Sequence, residues 1–192
     1  MFLVKLFIKL KALFFRYFVS ENKPVLAKKI KLKYPVLFMG KGIIKIGTKS
    51  VLGYFPSAKY FGTTGYIEAR HEESIIEIGE RTKINNDFSI IANNTQIKIG
   101  SDCDIGVGFK CIDSDFHGIK LEDRHNEEKV VNKPVTIGDK CFIGDNVTVL
   151  KGVTLGENCI VGVGSVVTKS FEANSIIAGN PAHLIKNILK EL

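Results

Sequence analysis

From Val135 to Ser170 the chain counts in sixes. Ile137, Ile143, Val149, Leu155, Val161 and Val167 lead successive units, and glycine follows the leader in four of the five complete ones. Cys141, Val147, Val153, Cys159 and Ser165 stand four places after their leaders. Strict repetition on a short period marks a solenoid, in which each unit buries its apolar positions only by stacking on the next. A period of six suits neither a helix at 3.6 residues per turn nor a simple alternating strand. Three units close one triangular coil, so the unbroken run from Ile137 to Val167 predicts a straight prism.

The rhythm extends upstream with interruptions. Ile46-Gly and Leu52-Gly open it, residues 54–66 break it, and Ile78, Ile84 and Ile90 restore it. A nine-residue step then leads to Ile99, Ile105 and Cys111, which predicts a corner carrying about three extra residues. The second break, an excursion over about 113–134, must leave the prism. Long loops on rigid scaffolds tend to carry function. Residues 21–41, with Pro24 and Pro35, read as a linker and an irregular first strand, and 42–182 as the solenoid of six to seven coils. The helical spacing of PAHLIKNILKEL predicts a capping helix over 183–192 that covers the open coil edge.

The net charge of +7 is unevenly placed. Residues 1–33 hold nine Lys or Arg and one Glu, while the other 159 hold 18 basic and 19 acidic residues. The basicity belongs to an arm, and the body carries no nucleic-acid footprint. Residues 1–20 read as a helix with Lys5, Lys9 and Arg16 on one side, and no uncharged apolar run in it exceeds four residues. That pattern excludes an ordinary membrane span and a signal peptide. It fits a helix lying in a bilayer interface, or one packed on the solenoid or a neighbouring subunit. Cys103, Cys141 and Cys159 fall on inward positions and Cys111 on a leader, so all four read as packing in a reducing compartment. No spacing suggests zinc, and His71 and His125, among charges, read as solvated.

The hexads, a His beside the excursion and the closing Gly162-Val-Gly-Ser-Val-Val-Thr-Lys169 with Ala178-Gly-Asn-Pro-Ala182 resemble the hexapeptide-repeat acyltransferases, nearest to the sugar and polysaccharide O-acetyltransferases. The resemblance covers about 42–188 and implies an all-β solenoid, a left-handed parallel β-helix with an N-terminal amphipathic helix and a short C-terminal helix. It also implies a homotrimer with active sites between subunits, and acetyl-CoA as co-substrate without a metal.

By this resemblance His117 is the general base. A sugar hydroxyl attacks a thioester only as its proton is removed, and imidazole, titrating at about 6.5, suits that task. Asp115, or Asp113 beside it, could orient the ring. The backbone N–H of Asp145 corresponds to the donor for the tetrahedral oxyanion. Phe142 stands where relatives carry Trp against the acceptor, and Asn85 matches an acceptor-contacting Asn. Val163 and Ser165 correspond to the pantetheine groove, and Thr168, Lys169, His183 and Lys186 to the phosphate end, with Lys186 one helical turn from His183.

The reaction implied is O-acetylation of a sugar hydroxyl on a cell-surface polysaccharide or lipid-linked glycan precursor, in the cytoplasm or peripherally at the inner membrane face. The alternatives are N-acetylation of a nucleotide-linked amino sugar, a soluble-sugar or antibiotic acetyltransferase, and a catalytically silent assembly protein.

Overall fold

The computed structural model describes residues 2–191. Met1, Leu192 and the side chain of Lys5 on the arm's basic side lie outside the described residues. After the arm the chain winds as a three-faced parallel β-prism. The first face stacks Val25–Leu26, Ile43–Ile46, Ile75–Ile78, Gln96–Ile99, Val135–Ile137 and Thr154–Leu155. The second stacks Lys31–Leu32, Val51–Leu52, Lys83–Ile84, Asp104–Ile105, Phe142–Ile143 and Ile160–Val161, followed by Ser175–Gly179 and Ala182–Asn187. The third stacks Val36–Met39, Gly65–Ala69, Ser89–Ala92, Lys110–Ile112, Thr148–Val149 and Val166–Val167.

The hexad maps directly onto this geometry. In the strand Phe142–Ile143 the leader Ile143 is buried and Phe142 faces outward, as strand alternation requires. The glycine after each leader sits where coils come closest: a Cβ on Gly138 would lie 2.6 Å from the Glu157 nitrogen. Two residues later the backbone turns through the left-handed region, at Lys140, Asn146, Gly152, Asn158 and Gly164. Asn and Gly tolerate that conformation best. The leaders then stack in register, Ile143 on Val161 and Ile137 on Leu155, and fill one continuous core.

One inward position forms a polar ladder inside that core. Ser50, Thr82, Cys103, Cys141 and Cys159 each donate to a carbonyl of the next coil, those of Gly79, Gly100, Gly138, Gly156 and Glu172. The four cysteines are free and buried. Burial raises the thiol pKa of Cys111 well above its ordinary value.

Three features depart from the expected boundaries. The prism begins at Val25, whose strand pairs with Lys45–Ile46, so residues 25–39 form a regular first coil rather than a linker. Pro24 and Pro35 flank its strands, where no ladder donor is needed. At the other end Ala182–Asn187 is an antiparallel strand on Ser175–Gly179, and only 188–191 turn as a 3-10 helix. An exposed sheet edge offers unmet backbone groups, and pairing them outweighs the helical spacing. Finally, the arm is an α-helix over Phe2–Phe14 continuing as a π-turn over Phe15–Val19. Ile8 is buried, while Phe7, Leu10, Phe14, Tyr17 and Phe18 are exposed. No helix among the described residues is long and apolar enough to cross a membrane.

Candidate active site

The excursion leaves the prism at the edge between the third and first faces, after Lys110–Ile112, and its base is stitched down by Asp113. This carboxylate is fully buried; Oδ1 accepts from Asn93 N (2.7 Å) and Oδ2 from Thr95 N (3.0 Å) and Thr95 Oγ1 (2.8 Å). Asp113 therefore holds the corner that carries the extra residues of the preceding coil, and it does not orient a catalytic ring. Asp113→Ala leaves three donors without their acceptor. We expect a loss of about 3 kcal/mol in urea unfolding, with faster proteolysis of 113–134. An unchanged midpoint would contradict that role.

Asp115 is also committed elsewhere. Its carboxylate pairs with Lys151 Nζ at 2.6 Å, and its N–H donates to Val131 O. Asp115, expected to orient the ring, is paired here with Lys151, and the polar contact of His117 is a carbonyl. His117 Nδ1 lies 3.3 Å from Arg124 O. A carbonyl can only accept, so Nδ1 is the donor in this contact, and Nε2 makes no hydrogen bond among the described residues. The ring of His125, read as solvated, stands edge-on to His117 at 6.4 Å between centroids. Gly118 permits the turn, since a Cβ there would collide with Asp123 O.

The residue before His117 is anchored as well. Phe116 has φ of 61°, its N–H donates to Ser114 Oγ (2.9 Å), and the Arg70 guanidinium stacks 4.9 Å above its ring. Arg70 is itself fixed by two hydrogen bonds to Glu68 and one to Asn93. The side chains of Ile119 and Leu121 at the loop tip are exposed.

A separate groove of about 580 Å³ runs along the second face to its edge with the third. Asn85, Phe142, Asp145 and Val163 line it together, with Tyr54, Lys83 and Asp104. Asn85 Oδ1 accepts from Asn86 N, which leaves its amide NH₂ to the groove. Val107 N–H is capped by Asp145 Oδ1 at 2.7 Å, but Val163 one coil further has no polar side chain to cap Asp145 in turn. Gly144 N–H and Asn146 N–H are tied to Val161 O and Val107 O, while the Asp145 N–H has no acceptor among the described residues. A free, fixed N–H beside a groove is what an oxyanion donor requires.

Tyr54 belongs to the loop at the first break of the repeat. Asn86, fully buried, ties that loop down through Tyr54 N, Tyr54 O and Ala58 O. Sequence reasoning placed the loop outside the prism without assigning it to the site. Its aromatic density, Tyr54, Phe55, Tyr60 and Phe61, was the available signal.

The proposed cofactor residues divide. Val163 is exposed on the groove wall, whereas Ser165 is buried and its hydroxyl donates to Gly162 O (2.6 Å) and accepts from Gly179 N (3.2 Å). Any contact from Ser165 is through its backbone. Thr168 and Lys169 are exposed after the last third-face strand. His183 and Lys186 lie on the terminal strand rather than one helical turn apart. His117 does not line the groove: within one chain it and the groove stand on different edges of the prism.

A family model described as the hexapeptide repeat of succinyl-transferase matches residues 134–169. A polysialic acid O-acetyltransferase of Escherichia coli O1:K1 is 39% identical over 114 residues, covering 59% of this chain and 36% of that protein. Its counterpart in Neisseria meningitidis is 38% identical over 89 residues, covering 45% and 40%. The chain thus spans well under half the length of these two relatives. The crystal structure of the polysialic acid-specific acetyltransferase NeuO superposes with a TM-score of 0.70 at 28% identity, over 87% of this chain and 67% of that one. Repeat, coil register and likeness together show that the chain carries the hexapeptide repeat and folds as the left-handed parallel β-helix seen in these acetyltransferases.

Proposed function

We propose that this chain is an acetyl-CoA-dependent O-acetyltransferase acting on a sugar hydroxyl of a cell-surface polysaccharide or its lipid-linked precursor. The observation that carries the reading is the exposed His117 ring, whose Nδ1 is engaged by Arg124 O and whose Nε2 is left to act as the base. Nε2 takes the hydroxyl proton as the sugar oxygen attacks the thioester carbonyl. The Asp145 N–H receives the oxyanion; the C–S bond then breaks and the imidazolium returns the proton to the departing thiolate. Direct transfer of this kind leaves no acyl group on the protein.

A single chain does not complete this site, because His117 and the groove lie on different edges. The loop tip at Ile119 and Leu121 and the groove residues Phe142 and Val163 are all exposed and apolar. They support a homotrimer in which the excursion of one copy reaches the groove of the next. The polysialic acid enzymes among the relatives support a polysaccharide acceptor. The exposed aromatic side of the arm, flanked by Lys9 and Arg16, supports peripheral contact with the cytoplasmic leaflet.

The test is an acceptor screen that follows thiol release from acetyl-CoA with polysaccharides, lipid-linked glycans, free sugars and sugar nucleotides. Release should be greatest with polysaccharide or lipid-linked hydroxyl acceptors. Release only with nucleotide-linked amino sugars would overturn the reading. Deleting residues 2–20 should shift the protein from membranes to the soluble fraction; an unchanged distribution would remove the membrane from the proposal.

A further inference from the structure

The outward residues of the second face form one ladder, Lys31, Val51, Lys83, Asp104, Phe142 and Ile160, in register. The active-site groove occupies its middle, and Val51 is shared with a second depression lined by Lys29, Ile30, Lys31 and Lys49. The two depressions therefore adjoin at Val51. At about 4.8 Å per rung the path from Phe142 to Lys31 is roughly 19 Å, long enough for several sugar residues.

Charge along this path is sharply divided. From the coil of Lys83 onward basic groups are matched by acids on the adjacent rung: Lys83 with Asp104 (3.1 Å), Arg81 with Asp102 (2.6 Å), Lys140 with Glu157 (2.6 Å). In the first coils Lys45 is matched by Glu77 (3.0 Å) on the first face, but the lysines beside the second face have no such match among the described residues. Residues 22–67 contain nine lysines and no acidic residue. Lys29, Lys31, Lys33 and Lys49 are exposed and form no ion pair among the described residues. Lys33 Nζ sits 5.8 Å from the ring centroid of Tyr54, which links this cluster to the groove wall. Like charges left unpaired repel one another, and a polyanion laid along them relieves that repulsion.

Direction matters as well. The residues assigned to coenzyme A, from Val163 to Lys186, lie in the last coils. A long acceptor entering the groove therefore runs away from them, toward the first coils.

We infer that Lys29, Lys31, Lys33 and Lys49 form an extended subsite for the residues of an acidic, carboxylate-bearing glycan that flank the acetylated one. The inference rests on the O-acetyltransferase reading for which residue is acetylated, but binding can be measured without it. The test uses the full chain with three polymers, a sialic acid polymer, polygalacturonate and neutral dextran, and with phosphatidylserine-containing vesicles. The variant is Lys31→Ala/Lys33→Ala/Lys49→Ala, all exposed positions outside the catalytic machinery.

The wild type should bind both acidic polymers and not dextran, with affinity falling as salt rises. The triple variant should bind the acidic polymers roughly tenfold more weakly. Its thiol release with a short acceptor should stay unchanged, so that only KM for long acidic acceptors rises. Equal binding by the variant, or dextran binding as well as the acids, would overturn the subsite. So would a variant that loses affinity only for phosphatidylserine-containing vesicles, which would assign the lysines to the bilayer. Binding with no thiol release from any acceptor would instead fail the transferase reading and leave the subsite standing.

Discussion

His117→Ala should lower kcat by about 10²–10⁴ while leaving assembly and unfolding unchanged. That range corresponds to about 3–5 kcal/mol of transition-state stabilisation. The ring is exposed, and its polar contact is one hydrogen bond at 3.3 Å to Arg124 O, so truncation removes no core packing. Surface substitutions of this type usually change stability by less than about 0.5 kcal/mol. The structure adds a second expectation: because Nδ1 is held by a carbonyl rather than a carboxylate, Asp115→Asn should act mildly. It breaks the pair with Lys151, a partly exposed contact, and leaves the contact of His117 with Arg124 O in place. A carboxylate-oriented base would respond to Asp115→Asn with a loss of several orders of magnitude. Steady-state thiol release on His117→Ala, Asp115→Asn and wild type separates the two arrangements. Full activity in His117→Ala would remove the residue from the mechanism.

How much of this was legible in the chain depends on the distance over which each feature is encoded. The hexad is local: leader, glycine and left-handed residue fall within four positions, as in Ile143-Gly144-Asp145-Asn146, so the core and coil could be read off directly. The inward Cys141 and Cys159 were legible for the same reason. The first coil was not, because Lys and Pro occupy its outward and turn positions and leave only short apolar pairs such as Val25-Leu26. The terminal strand was misread because His183 to Leu189 carries helical spacing, and only the pairing of Ile176 with Lys186 decides its conformation. Asp115 and Lys151 meet across the base of the excursion, and nothing near either residue announces the other. The capping of Val107 by Asp145, and its absence one coil on at Val163, depends likewise on stacking register rather than on neighbouring letters.

Two inactive variants should restore activity when mixed. His117→Ala retains an intact groove but no base; Val163→Trp retains the base but places a large ring across the groove wall, at an exposed position where the coil need not move. If the base and groove of one chain served each other, a mixture would be as inactive as its parts. In a trimer with sites between copies, a site works when the His117 side comes from Val163→Trp and the groove side from His117→Ala. Random exchange at equal concentrations satisfies that at about one site in four. Co-refolded or co-expressed variants should therefore recover roughly a quarter of wild-type activity, against about 10⁻² or less for either alone. The separation of His117 from Asn85, Phe142 and Asp145 on different edges of the prism makes this the stronger of the two expectations. Recovery requires subunit exchange, so the mixture is compared with one in which pre-formed oligomers are combined without unfolding. Absence of recovery in verified mixed oligomers would place the complete site within one chain, and the excursion would then have to fold back over the third face to reach the groove.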